Sequence, residues 1–300
     1  MNIPSDKKHI LVTGSHRSGS TWVGEVLSSS RQISYVHEPF NIDLHQSSPL
    51  QYWFEYISSE SSETYQIRVA HSIQNHLQAN YQKLFPSYKS NGFRGALATI
   101  KEVGSSIQAN KRVIKAPIAF MSAEWLNENF CKYVIITIRH PAAFAASLKV
   151  KNWTFDFNHF VQQEELMQKY LEPYRQQITV FAHNPPDIIQ QACLLWNCIH
   201  HIVINYKSKF PEWLFVRHED LSSNPINEFS KVFNHINVPF SKKVRNYIKQ
   251  STQIVKSSGQ NLPAKANIKN WKNRLFSEEI DIIYKTTKHI ADEFYSSEEW

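Results

Sequence analysis

The sequence predicts an α/β fold, a central parallel sheet covered by helices on both faces, built as a single domain over residues 1–300. Three observations carry that expectation. Short β-branched runs alternate with helical patterns from end to end. No internal repeat and no dividing linker interrupts the alternation. The 300 residues are 42% hydrophobic and include 18 Phe, 13 Tyr and 8 Trp, enough apolar mass for a large core and too much for a disordered chain.

The elements follow in order. Residues 9–13 (HILVT) are a β-branched run stopped by Gly14 and read as a buried strand. Residues 20–30 place Trp22, Val23, Val26 and Leu27 on one helical stripe. Residues 33–36 form a second short strand, followed at once by His37, Glu38, Pro39 and Phe40. Residues 45–64 mix Ser and Glu with exposed-looking aromatics and read as a mobile loop or lid, within an acceptor-side insertion over about 42–110. Ala70, Ile73, Leu77, Tyr81 and Leu84 recur at helical spacing, so a helix is expected over about 65–85, and Asn91-Gly92 marks a turn. Residues 112–115 are a strand, and Phe120, Met121, Trp125 and Leu126 mark a helix. Residues 133–138 (YVIITI) are the strongest strand-like run, closed by Arg139-His140-Pro141, with Pro141 suited to the first position of a helix. Residues 188–206 read as a long buried helix, 213–216 as a strand, and Asn224-Pro225 as a helix start. Ser277 with Glu278 and Glu279 opens the last helix.

Composition narrows the function classes. A formal net charge of +7 suits nucleic acid, an acidic membrane surface or a small polyanion, and equally plain solubility. The lysines are dispersed, which weakens a noncatalytic nucleic-acid-binding reading. No run of about 18 apolar residues is present to span a membrane, and the strand-like run that follows the polar lead is too short for a signal peptide. Cys131, Cys193 and Cys198 are odd in number and sit in apolar stretches, so they read as reduced core residues; a cytoplasmic location is expected. Cys193, Cys198, His200 and His201 fall on one apolar helix without the paired spacing of zinc sites, and no metal site is expected. Asn152-Trp153-Thr154 matches a glycosylation acceptor but is set aside for want of a secretory signal.

Two motifs carry chemistry. Gly14-Ser15-His16-Arg17-Ser18-Gly19-Ser20-Thr21 lies between strand and helix with the spacing of a phosphate loop, Ser20 standing where a lysine is usual. Its glycines permit a tight turn, and backbone N–H groups near 17–21 point into one concavity at a helix N-terminus. Arg17 offers a planar cationic fork in place of the lysine; the plainer account is a chance Gly/Ser-rich turn. Arg139, closing the best strand, and Ser147, eight residues on, make a second cation-and-hydroxyl pair. A nucleotide-dependent kinase needs an acid at the end of such a strand to hold magnesium, and here Arg139 stands there.

Together GSHRSGSTW at 14–22 and IRHPAAFAASLKVKNW at 138–153 resemble the two cofactor signatures of sulfotransferases that use PAPS, 3′-phosphoadenosine-5′-phosphosulfate. VHEPFN at 36–41, VIKAPIAFMSAEWL at 113–126, FVRHEDL at 215–221 and ANIKNWKNRLFSEEI at 266–280 extend the resemblance to the bacterial, carbohydrate-sulfotransferase-like branch. It implies a P-loop-like three-layer fold and metal-free in-line transfer of a sulfuryl group to a hydroxyl acceptor, a sugar or glycan, with release of PAP, adenosine 3′,5′-bisphosphate. It implies too that Arg17, Ser18, Gly19, Ser20 and Thr21 bind the 5′-phosphosulfate, and Arg139 and Ser147 the 3′-phosphate. Three departures stand out. Arg17 replaces the usual lysine of the animal cytosolic branch, Lys115-Ala116-Pro117 replaces Lys-Asp-Pro, and the C-terminal Arg-Lys-Gly is missing, with Lys265 and Lys272 as candidate substitutes.

A base within hydrogen-bond reach of the acceptor hydroxyl is the remaining requirement. Glu38 is the first choice, matching the glutamate base of carbohydrate sulfotransferases, with partial burial by Pro39 and Phe40 expected to offset the acidifying arginines. His37 and His16 are the alternatives, and strand alternation lets only one of His37 and Glu38 face the site. Lys115 either steadies the transferring group or is solvated. Tyr52, Trp53, Phe54 and Tyr56 offer an acceptor platform or pack back as a lid, and Arg217–Asp220 either shapes the adenine side or caps a helix.

Overall fold

In a computed structural model, residues 7–45, 48–78, 109, 111–253 and 268–300 are described. Five strands, β1 (His9–Gly14), β2 (Ile33–His37), β3 (Lys111–Lys115), β4 (Cys131–Ile138) and β5 (Leu214–Arg217), form one parallel sheet in the order β2-β3-β1-β4-β5. The central β1 is inaccessible on both faces, which is why its sequence is β-branched without polar alternation. Side chains alternate between the faces. Leu11, Ile114 and Ile136 join the larger core, whereas Ile10, Val12, Val113 and Ile135 join the smaller one.

Ten helices of the described residues concern the site and its supports: α1 (Ser20–Ser28), α2 (Glu63–Leu77), α3 (Ala123–Asn129), α4 (Pro141–Lys151), α5 (Arg175–His183), α6 (Ile188–Lys209), α7 (His218–Ser223), α8 (Pro225–His235), α9 (Lys242–Gln253) and α10 (Ser277–Ala291). On the larger-core face α4, α6 and α10 pack together around Phe144, Leu195, Trp196 and Ile283. The other face is covered by α1, α8 and α9 through Val26, Leu27, Phe233 and Ile248. The result is the three-layer arrangement that the alternating sequence predicts, P-loop-like as the resemblance implies. All five carboxyl ends lie along one edge, where open parallel sheets gather their ligand-binding loops.

Several local expectations need correction. The exposed-looking aromatics do not all face solvent: Phe54 and Tyr56 are buried in the larger core and Tyr52 and Trp53 half-buried, because this stretch folds back over α4 and the strand ends. Phe120 and Met121 lie in a 3₁₀ turn, Pro117–Ser122, that precedes α3; Pro117 starts it. The helix expected over 65–85 starts at Glu63 and ends at Leu77, where Gln78 turns extended; Tyr81, Leu84 and Asn91-Gly92 lie outside the described residues, as does the 79–108 part of the expected insertion. Asn224 precedes α8 but gives no side-chain cap, and Pro225 alone marks the start. The three cysteines are buried free thiols. No helix of the described residues is long and apolar enough to cross a membrane.

Candidate active site

The loop after β1 is shaped by its neighbours. Gly14 has φ 133°, and a Cβ there would lie 2.3 Å from the Thr137 carbonyl oxygen on β4. Gly19 has φ 91°, and its Cβ would meet His218 Nδ1 at 2.5 Å. Neither position accepts a side chain. Between them Arg17 adopts a left-handed φ of 62°, a strained choice costing roughly 1–3 kcal/mol that recurs at ligand sites. Intrahelical bonding of α1 begins with Val23 N–H on the Gly19 carbonyl, and no acid occupies its first turn. Its leading N–H groups, including those of Ser20 and Thr21, are therefore the free donors of a helix N-terminus.

Ser18 departs from its expected role. Its hydroxyl contacts the Ser15 carbonyl and Thr137 Oγ1, each at 2.5 Å, and its N–H donates to the Ser15 carbonyl at 3.3 Å. Thr137 in turn donates to the Thr13 carbonyl at 3.0 Å. Both Ser18 donors are committed within the loop, so Ser18 sets its shape.

Arg17 joins the two motifs. Its Nε donates to Ser147 Oγ at 2.9 Å, its guanidinium lies 5.4 Å from the centre of the Trp153 ring, and its carbonyl accepts from Arg139 Nη1 at 2.5 Å. The sequence reading kept the two arginine sites apart; the fold draws them into one cluster, because β1 and β4 are direct neighbours and their loops leave side by side. Burial lowers the Arg139 pKa to about 10, opposed by Glu219 and aided by Arg17 and Arg274. Burial and Arg274 lower that of Arg17 as well. Among the described residues none of these three arginines makes an ion pair, and Arg139 Nε is buried without a partner. Glu219 faces elsewhere: it accepts from His140 N–H at 3.1 Å and the Tyr295 hydroxyl at 3.0 Å. Unpaired guanidinium groups beside a free helix N-terminus fit an anion of more than one charge.

The ends of β2 and β3 are built oppositely. Lys115 closes β3 with 1% exposure and forms an ion pair with Glu38, which excludes the solvated reading. Glu38 lies beyond β2 at φ 42°, so it has left the strand alternation; His37 points outward and is exposed. Glu38 Oε2 accepts from Asn41 Nδ2 at 2.6 Å, and Glu38 N–H donates to the Lys115 carbonyl at 2.8 Å. Burial alone raises the Glu38 pKa, but the hydrogen bonds from Lys115 and Asn41 outweigh it and the net value is lowered. The offset expected from Pro39 and Phe40 is thus overcome, by Lys115 and not by an arginine. His16, the other candidate base, is pushed to about 4 by burial and by Arg17, so it is neutral at neutral pH. It is ringed by Phe144 at 5.3 Å and by Trp53 and Phe54 at 6.0 Å, with Nδ1 unpartnered.

Thr137, Asn41, Trp153 and Arg274 escaped the sequence reading as site residues, and His218, read only within Arg217–Asp220, packs against Gly19. Only Asn41 had a local signal, as the residue closing a Glu-Pro-Phe-Asn turn. Arg217–Asp220 resolves into the end of β5 and the start of α7, with Glu219 buried. Lys272 donates to the Trp300 carbonyl at 2.8 Å, and Lys265 lies outside the described residues.

A parallel sheet that opens its carboxyl edge onto an arginine-lined anion loop, with a carboxylate held close by, is the layout of an enzyme transferring a charged group. The chain belongs to the sulfotransferase family, whose sulfotransferase domain matches residues 7–293. PAPS is the co-substrate, and the arginine cluster is chemically suited to its phosphates. Two solved structures share the fold. The sulfotransferase domain from the curacin biosynthetic pathway is 18% identical, covering 97% of this chain and 98% of its own, with a TM-score of 0.51. That of the Synechococcus PCC 7002 olefin synthase is 16% identical, covering 98% of each chain, with a TM-score of 0.52. No curated protein matches the chain.

Proposed function

We propose that this sulfotransferase acts on a sugar or glycan hydroxyl by direct in-line displacement. The acceptor oxygen forms its bond to sulfur as the bond from sulfur to the phosphate oxygen breaks. The acceptor proton goes to Glu38, and PAP leaves with the negative charge. The convergence of Arg17, Arg139 and Ser147 carries the reading, since it supplies positive charge where the departing phosphate gains negative charge. The N–H groups of Ser20 and Thr21, following the turn that Gly19 permits, hold the 5′ end; Arg139 and Ser147 hold the 3′-phosphate, with Arg17 spanning both. Arginine in the position closing β4, where a magnesium-holding acid would stand, fits charge neutralisation by side chains.

Lys115 has two roles in this scheme. It holds Glu38 before reaction, and passing its hydrogen bond to a sulfuryl oxygen would strengthen Glu38 as a base at the moment the proton is released. Trp53, half-buried beside His16, and Trp153, 44% exposed beside Arg17, offer faces on which a sugar ring can stack; this supports the carbohydrate acceptor. Three buried thiols suit work in a reducing compartment such as the cytoplasm.

The test is transfer from labelled PAPS to a panel of simple sugars, glycans, phenols and sterols. Label on sugars or glycans is the expected result, and transfer confined to phenols or sterols overturns the acceptor assignment.

A further inference from the structure

Beside Glu38 sits an amide whose orientation the structure fixes. Asn41 Nδ2 donates to Glu38 Oε2 at 2.6 Å, while Asn41 Oδ1 accepts the N–H of Asp43 at 3.1 Å. A backbone N–H can only donate, so it must face the amide oxygen, and the NH₂ group is thereby turned to the carboxylate. The turn carrying the pair is tied at several points. Asn41 N–H donates to the Glu38 carbonyl at 3.0 Å, and Pro39 at the second position presets the turn. His45 Nε2 contacts the same carbonyl at 3.1 Å, and Asp43 Oδ2 accepts from Trp53 Nε1 at 3.2 Å.

Lys115 holds one carboxylate oxygen and Asn41 the other. One donor on each oxygen stops the carboxylate from rotating and still leaves each oxygen a lone pair. A base pinned at one point would sample orientations in which no lone pair meets the acceptor hydroxyl.

We propose that Asn41 is a positioning residue for Glu38, setting the plane in which the carboxylate meets the acceptor hydroxyl. The proposal rests on Glu38 being the base. Asn41 also keeps Glu38 ionised, since a hydrogen bond to the charged form lowers its pKa.

Asn41→Asp keeps an acceptor for the Asp43 N–H and so preserves the turn, but it sets a second carboxylate against Glu38 as well as removing the donor. Asn41→Ala removes the donor without adding charge, so a loss common to both variants reports the donor. Glu38 is followed directly by ¹³C NMR of carboxyl-labelled protein, its signal assigned with Glu38→Gln, and turnover is measured with whichever acceptor takes label from PAPS. The Glu38 carboxyl should titrate at higher pH in both variants, and the acid limb of kcat should move the same way. kcat should fall about tenfold or more, with PAP affinity within about twofold of wild type. In a Glu38→Ala background, adding Asn41→Ala should cost nothing further.

Unchanged titration and unchanged kcat in Asn41→Asp, with Glu38→Ala inactive, would overturn the positioning role alone. So would an Asn41→Ala loss of the same size with and without Glu38, which marks a structural part. Full activity of Glu38→Ala instead removes the base assignment itself.

Discussion

The two halves of the site treat charge in opposite ways. Around the first loop, Arg17 and Arg139 hold hydroxyl and carbonyl oxygens but no carboxylate, and Arg274 adds to their mutual repulsion. At the ends of β2 and β3, Lys115 and Glu38 are matched one to one and both oxygens of the carboxylate are bonded. The arginine end is incomplete without an anion; the glutamate end is complete before anything binds. Both regions are shaped by the fold, but only the second has its charge balanced within it; under the proposed function the donor's phosphates supply the missing charge of the first.

Exchanging function between the two ends tests this most sharply. Glu38→Gln should lower kcat roughly 10²–10⁴-fold while PAP affinity stays near wild type, as measured by steady-state kinetics and calorimetry. An equal loss of PAP binding would break the contrast. Arg139→Ala should weaken PAP binding by about 1.5–3 kcal/mol, the worth of a charge-assisted contact, and unchanged affinity would remove it from the phosphate site.

Acid should act on the arginine end through its buried histidines. His16 is lowered to about 4, and His140 and His218 to about 3, burial being the main cause in each. Each is neutral in the fold but protonates near pH 6.5 when unfolded, so the unfolded chain binds more protons at mildly acidic pH. Stability should be level above pH 7 and fall as pH drops through 6.5 toward 4. Thermal melts across that range give the check; a flat Tm would contradict the burial of these rings. Gly14→Ala should cost about 1–3 kcal/mol of stability, read from denaturant melts, because of its φ and the Thr137 carbonyl. The smallest effect belongs to Lys272→Ala: its ammonium is exposed and spent on the Trp300 carbonyl, so PAP affinity should change less than about twofold.

The sheet was legible because central parallel strands cannot alternate, and runs such as HILVT and YVIITI satisfy that condition within a few residues. Arg17, Arg139 and Ser147 were legible as types of group at known distances from a strand end. Their meeting was not, since the Arg17–Ser147 bond spans 130 positions and depends on β1 lying against β4. Lys115 stayed open between two readings for a related reason: a lysine at a strand end is often solvated, and the partner that decides lies 77 residues away. The aromatics at 52–56 carried no period that separates a lid from a wall, so only tertiary packing distinguished Phe54 from Trp53.

The ring of His218 stands directly against Gly19, so the far wall of the first loop comes from a residue about two hundred positions downstream. During synthesis the glycine turn emerges early and waits, since β5 and the start of α7 must be made before its second side exists. A nascent chain stopped short of that point would own the loop's sequence and lack the ring that packs against Gly19.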